Sequence, residues 1–358
     1  MFRAKTVFVI GAGASFEVGL PLGAKLLKQI TELTRITFNH NTQISGDYTV
    51  LEALKIILAE GRSVSLLNEH IRAGWQLAES AAQAKSIDNV IDSLEDPKVE
   101  LIGKIGIVRA ILRAEASSSY FAQNEDRNGI NLQKFENTWY RGLTEMLAED
   151  LRKSQLSEIF QNITIINFNY DRCLEHYLPF SLASRFGIER EQAESIMQSL
   201  VVHRPYGVAG SLPWQQRAGY SVVFGEGDSR DIGRVATQIR TFTERIDQNE
   251  ELQSMKLAIA NADRIVFLGF GFHRQNLQLL KQRVQDHTEI FATTLGISEP
   301  DKAVIEEEIG TAFQFFGNGQ YRVNFADSTC FDFFRNHWRA LTALKSDRGS
   351  MHHLLPGN

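Results

Sequence analysis

The sequence predicts an α/β protein with a doubly wound, mainly parallel sheet, on the strength of three observations. Short apolar runs rich in β-branched residues recur along the chain, and the strong ones end in glycine or in a polar cluster. Helical periodicities lie between them, the alternation that winds helices over both faces of a parallel sheet. From 50 to 160 no strand alternation is seen, so this Rossmann-like sheet is expected to carry a helical insertion subdomain at about 40–160.

The elements follow in order. Val7–Ile10 is a continuous apolar run, the pattern of a strand covered on both faces. Gly11-Ala12-Gly13-Ala14-Ser15 follows, then a helix through Ala24, Leu26, Leu27, Ile30, Leu33 and Ile36. His40–Thr49 is polar and reads as a loop. Residues 50–160 show helical spacing, as in Leu51-Leu54-Ile57-Leu58 and Leu101-Ile105-Val108-Ile111-Leu112, with a polar break at Ser117–Asn131. Ile163–Ile166 is the second clear strand, running into Asn167-Phe168-Asn169-Tyr170-Asp171 and a helix from about Cys173. Leu200–His203 is a shorter run. Arg264–Leu268, Ile290–Leu295 and Tyr321–Phe325 complete the strands, the last before an aromatic helix through Phe331, Phe334 and Trp338. One domain over 1–345, with the insertion at about 40–160, and a flexible tail at 346–358 are expected.

Composition narrows the function. With 38 basic and 43 acidic residues the net charge is −5, so no direct nucleic-acid partner is expected. Two cysteines, Cys173 and Cys330, cannot build a disulfide scaffold or a cysteine-rich zinc site, and no metal is expected. No run of about 18 apolar residues occurs, so the reading is a cytoplasmic chain without a membrane partner.

Five motifs carry chemistry. In Gly11-Ala12-Gly13-Ala14-Ser15 the glycines would let a phosphate approach the backbone at a helix start, although a bare strand-to-helix turn uses the same residues. The acidic residue that a dehydrogenase needs about 20 positions later is missing from a strand end, since Thr31-Glu32-Leu33 reads as helix. In Asn167-Phe168-Asn169-Tyr170-Asp171 two amides and a carboxylate sit where a sugar could bind: an asparagine could hold ribose hydroxyls or orient water, and the aspartate could fix that asparagine or steady a cation-like transition state; the alternative is an Asx turn capping the next helix, with Asp171 as N-cap. His203 could serve as a general base, or simply be packed. Gly269-Phe270-Gly271, running on to Asn276, and Leu295-Gly296-Ile297-Ser298 are further strand ends suited to an adenosine half, or to turns.

Taken in order, these motifs resemble the sirtuin superfamily over about 1–30, 160–210 and 260–340. The phrases Phe168-Asn169-Tyr170-Asp171 and Ser86-Ile87-Asp88 are closer still to a bacterial sirtuin-like group of antiphage defence. That resemblance implies NAD as substrate and its hydrolysis to nicotinamide and ADP-ribose. Asn169, Asp171 and His203 would be catalytic, with Gly11, Ala12, Gly13, Ser15, Gly269, Gly271, Asn276 and Ser298 binding the dinucleotide. It also implies a homo-oligomer, and a partner such as a HerA-type ATPase or helicase, a short Argonaute or another sensor. The sequence departs from the deacylases: two cysteines cannot supply their four-cysteine ribbon, Pro21 is followed by Leu22-Gly23, and Arg204-Pro205-Tyr206 separate His203 from Gly207. ADP-ribosyl transfer, or NAD sensing without turnover, are the alternatives to hydrolysis.

Overall fold

The computed structural model describes residues 2–60, 66–121, 123–124, 129–215, 219–226, 231–241, 250–315 and 322–343. The expected tail at 346–358 lies outside these residues, as does Tyr321.

Strand β1 (Thr6–Ile10) is buried along its whole length. It leads into a single-turn helix, α1 (Ala12–Phe16), and then into α2 (Gly23–Thr34), whose Leu26, Leu27, Ile30 and Leu33 enter the core. A hairpin of β2 (Thr37–Asn39) and β3 (Thr42–Ser45) replaces the loop expected here. It turns on His40 and Asn41 with φ of 46° and 66°, the left-handed pair that matches strand twist in a two-residue hairpin. Most of its residues are exposed, so no apolar alternation announces it.

The insertion's described helices are α3 (Tyr48–Glu60), α4 (Leu67–Ala81), α5 (Ile87–Leu94) and α6 (Pro97–Ser117). Ser86 caps α5 by accepting the Asn89 N–H, and Asp96 caps α6 ahead of Pro97, whose missing N–H costs nothing at a first helical position. Helix α6 is buried nearly all round, and arginine pairs answer two of the charges it carries inside: Arg109 with Asp47, and Glu115 with Arg172. The interval is not wholly helical, because the short strands β4 (Gln123–Asn124) and β5 (Gly129–Ile130) pair antiparallel before α7 (Trp139–Ala148).

Beyond it come β6 (Ile163–Asn167), α8 (Cys173–Phe186), α9 (Arg190–Met197), β7 (Val201–His203), α10 (Ile232–Ala236) and α11 (Glu250–Ala260). The last third holds β8 (Arg264–Leu268), α12 (Arg274–Leu279), β9 (Gln282–Val284), β10 (Glu289–Thr293), α13 (Glu299–Ala312), β11 (Phe313–Phe315), β12 (Val323–Ala326) and α14 (Cys330–Thr342).

The main sheet has six strands among the described residues, ordered β12-β10-β8-β1-β6-β7 and parallel throughout. The chain works outward from β1 to β6 and β7, then returns to the other side of β1 for β8, β10 and β12. This is the doubly wound order with its switch point between β1 and β8, where ligands of such sheets bind beyond the strand ends. Alternate residues fill opposite faces. Val7, Val9, Ile166 and Phe267 pack under the insertion helices, whereas Phe8, Ile10, Ile165 and Leu268 pack with residues of α7, α8 and α14. Among the described residues no helix is long and apolar enough to cross a membrane.

Candidate functional site at the sheet switch point

Two backbone loops meet at the switch point closely enough to demand glycine. The N–H of Gly11 donates to Leu268 O at 3.0 Å and that of Gly13 to Gly269 O at 2.9 Å. A Cβ on Gly11 would lie 2.6 Å from Gly269 O, one on Gly13 2.8 Å from Gly269 Cα, and one on Gly269 2.1 Å from the Ala14 nitrogen. Gly269 is also left-handed, with φ 55°. Three residues on, the bulky Phe272 sits at φ 51°, a conformation L side chains rarely adopt, held by packing on Phe267 and Phe270. Glu17 anchors the far end of α1 by accepting the N–H groups of Trp139 and Phe331, and burial raises its pKa.

The β6 end is tied to these loops. Asn167 Oδ1 accepts the Asn169 N–H at 3.0 Å in an Asx turn. The Asn169 amide nitrogen donates to Gly11 O and to Ser15 Oγ, both at 2.9 Å. Gly11 O can only accept, so the amide orientation is fixed chemically, and its remaining group is the carbonyl oxygen, an acceptor for a hydroxyl or a water. Asp171 Oδ1 accepts the Cys173 N–H at 3.1 Å in an Asx turn, although the N-cap of α8 is Arg172 rather than Asp171. Arg204 clamps the same turn, donating from one nitrogen to Asn169 O at 2.8 Å and to Asp171 O at 2.9 Å, while its other nitrogens reach Glu175 Oε1.

A cleft opens over these strand ends. It has room for about 160 Å³ of water-sized groups and opens to solvent. Its floor includes Ala12, Ser15, Phe168, Asn169, Tyr170 and Asp171; Tyr206, His273, Gln275 and Asn276 form one wall. The start of α5, Ser86–Asn89, supplies a further wall. Phe168 meets Tyr206 and Phe270 edge-on with ring centres 5.6 and 5.2 Å apart, giving an aromatic base to a polar mouth. The Tyr206 hydroxyl donates to Asn276 Oδ1, and burial pushes its phenol pKa up. The Tyr170 hydroxyl donates to Asp88 Oδ1 at 3.3 Å. Asp88 is half-buried and faces the cleft, and crowding by protein raises its carboxyl to about 6 against the pull of the Tyr170 bond.

Of the residues singled out from sequence, Ala12, Ser15, Asn169, Asp171 and Asn276 meet in this cleft. Gly11, Gly13 and Gly269 lie beneath it as backbone contacts. Gly271 is exposed, with only the His273 ring near a would-be Cβ. Ser298 is exposed one strand beyond β8, and its hydroxyl accepts the Asp301 N–H as the cap of α13. His203 is buried on the insertion face of β7, paired in register with Ile166, and is not among the cleft's lining residues. Tyr206 and Gln275 are lining residues to which the sequence assigns no role, and Asp88, quoted in the Ser86-Ile87-Asp88 phrase, is likewise given none. The readable signal for Asp88 is its place two residues after a serine N-cap, where an acid suits a helix start. No family model matches the chain, and no curated protein matches it.

Proposed function

We propose that the cleft binds NAD across the β1–β8 switch point and hydrolyses the bond between nicotinamide and ribose. The observation that carries this reading is the Asn169 side chain: its amide hydrogens are committed to the glycine loop, so its carbonyl oxygen is offered to a cleft beside Ser15 and Asp171. Departure of nicotinamide leaves an oxocarbenium-like ribose, which acceptors and carboxylates stabilise better than donors do. Ala12 and Ser15 would meet the pyrophosphate, Asn169 the ribose or attacking water, and Asp171 the developing charge. Tyr206 and Asn276 would carry part of the remaining dinucleotide. His203, outside the cleft, is given no chemical step.

The resemblance to bacterial sirtuin-like defence proteins supports the biological half of the proposal, an effector that depletes NAD and is gated by assembly or a partner. The test is release of nicotinamide from NAD by the purified chain. Asn169→Ala is expected to lower turnover by about 10²-fold or more, by analogy with deleting one preorganised polar group in a transition-state site. Unchanged turnover in that variant would remove the proposed site.

A further inference from the structure

We propose that Asp88, supplied by the insertion rather than by the sheet, is the general base that takes the proton of the attacking water. The inference rests on the NAD-hydrolase reading and names the group that reading lacks once His203 lies outside the cleft.

Three observations lead to it. Asp88 lines the same cleft as Asn169 and Asp171 and is hydrogen-bonded to Tyr170, which lies between them in the chain. Three other carboxylates inside the fold have arginine partners, Asp47 with Arg109, Glu115 with Arg172 and Glu175 with Arg204, while Asp171 and Glu17 are held by backbone N–H groups. Asp88 has no ion pair among the described residues, and its hydrogen-bond donors are the neutral Tyr170 hydroxyl and its own backbone N–H. A carboxylate kept without a cation in a protein-lined cleft is poorly explained by stability, because burial disfavours its charged form. It is well suited to accepting a proton near neutral pH, since general bases work best with a pKa close to the working pH. The groups near it are Asp92 on its own helix, the Tyr170 hydroxyl that bonds it, Tyr206, and Asp171 and His273 on the same cleft lining. The nearest charges are therefore like charges, which favour proton uptake.

In the step, the water oxygen forms a bond to the ribose anomeric carbon as the carbon–nitrogen bond to nicotinamide breaks. That bond's electron pair neutralises the pyridinium nitrogen, and the water proton passes to the Asp88 carboxylate. The products are ADP-ribose and nicotinamide, with no other reactant.

The experiment measures nicotinamide release from pH 4.5–9 (about this span brackets both carboxylate and imidazole titration) for the full chain, Asp88→Asn, Asp88→Glu and His273→Gln. NAD binding by calorimetry and the melting temperature are recorded for each. The wild type is expected to lose activity as pH falls below about 6. Asp88→Asn should bind NAD and melt normally, yet turn over about 10²–10⁴-fold more slowly with no acid limb. Asp88→Glu should regain part of the rate with a limb, and His273→Gln should keep the limb. If Asp88→Asn retains the wild-type rate or its acid limb while Asn169→Ala is inactive, Asp88 is not the base and the NAD-hydrolase reading stands. If the wild type releases no nicotinamide, both fall together. If Asp88→Asn loses NAD binding and rate in parallel, Asp88 is a binding group and the proposal is overturned.

Discussion

Arg204→Ala is expected to cost about 3–5 kcal/mol of unfolding free energy and to disorganise the cleft at the same time. The guanidinium and its partner Glu175 are each 4% exposed as side chains, so neither can fall back on solvent. Removing the arginine leaves a carboxylate uncompensated in the interior, and Glu175 Oε2 already has no partner among the described residues. Two carbonyls, those of Asn169 and Asp171, lose their donor in the same stroke. Lysine keeps the charge but not the planar fork that reaches both carbonyls and the carboxylate, so Arg204→Lys should recover only part of the loss. Denaturant unfolding of Arg204→Ala, Glu175→Leu and the double variant would show it. The double variant should be more stable than Arg204→Ala, because no buried charge is stranded, while binding of NAD, the proposed substrate, should stay impaired. A loss below about 1 kcal/mol for Arg204→Ala would contradict a dry, fully engaged pair.

Gly269→Ala should be nearly as damaging, for a steric reason. Its Cβ would sit 2.1 Å from the Ala14 nitrogen and 2.4 Å from the Gly13 carbonyl carbon, in backbone that cannot yield without parting β1 from β8. The left-handed φ adds about 1–2 kcal/mol and the overlap about 1–3 kcal/mol more. Gly271→Ala is the internal control. Its φ is not left-handed, and the neighbour a Cβ meets is the His273 ring at 3.3 Å, a side chain that can turn away. Its expected cost is within about 0.5 kcal/mol. Thermal denaturation of the pair separates the two glycines, which look equivalent in the sequence; equal losses would remove the distinction.

That equivalence shows where the sequence is readable and where it is not. The central strands are legible because burial on both faces forces an unbroken apolar run, as in Val7–Ile10 and Ile265–Leu268. The hairpin at Thr37–Ser45 and the small parallel pair β9 and β11 are not, since short strands lack the length for a pattern. In the site, Asn169, Asp171, Ser15 and Asn276 are found by asking what lies just beyond a strand end. Gly11, Gly13 and Gly269 are found too, but a glycine that admits a ligand and one that admits another backbone leave the same trace. Asp88 meets Tyr170 across 82 residues of chain, and no local pattern encodes that meeting. His203 ends a strand as expected, yet its chain order cannot reveal that β7 lies two places from the switch point.

The Glu115–Arg172 pair has a consequence for how the molecule comes apart. Glu115 closes α6, Arg172 opens α8, and their side chains are 0% and 1% exposed. Arg172 also holds Val222 O, drawing in a third segment. An inserted stretch joined to its host through a charge neither side can hold alone is not an excisable module. Cutting out α3–α6 would leave a naked guanidinium inside the remaining layer, and opening the seam between layers strands both charges at once. Calorimetry should therefore give one heat-absorption peak, with equal calorimetric and van't Hoff enthalpies, in place of a separate early melt of the helical layer. Whatever signal reaches this protein would then act on one cooperative unit, with the wall that carries Asp88 and the floor that carries Asn169 unable to melt separately.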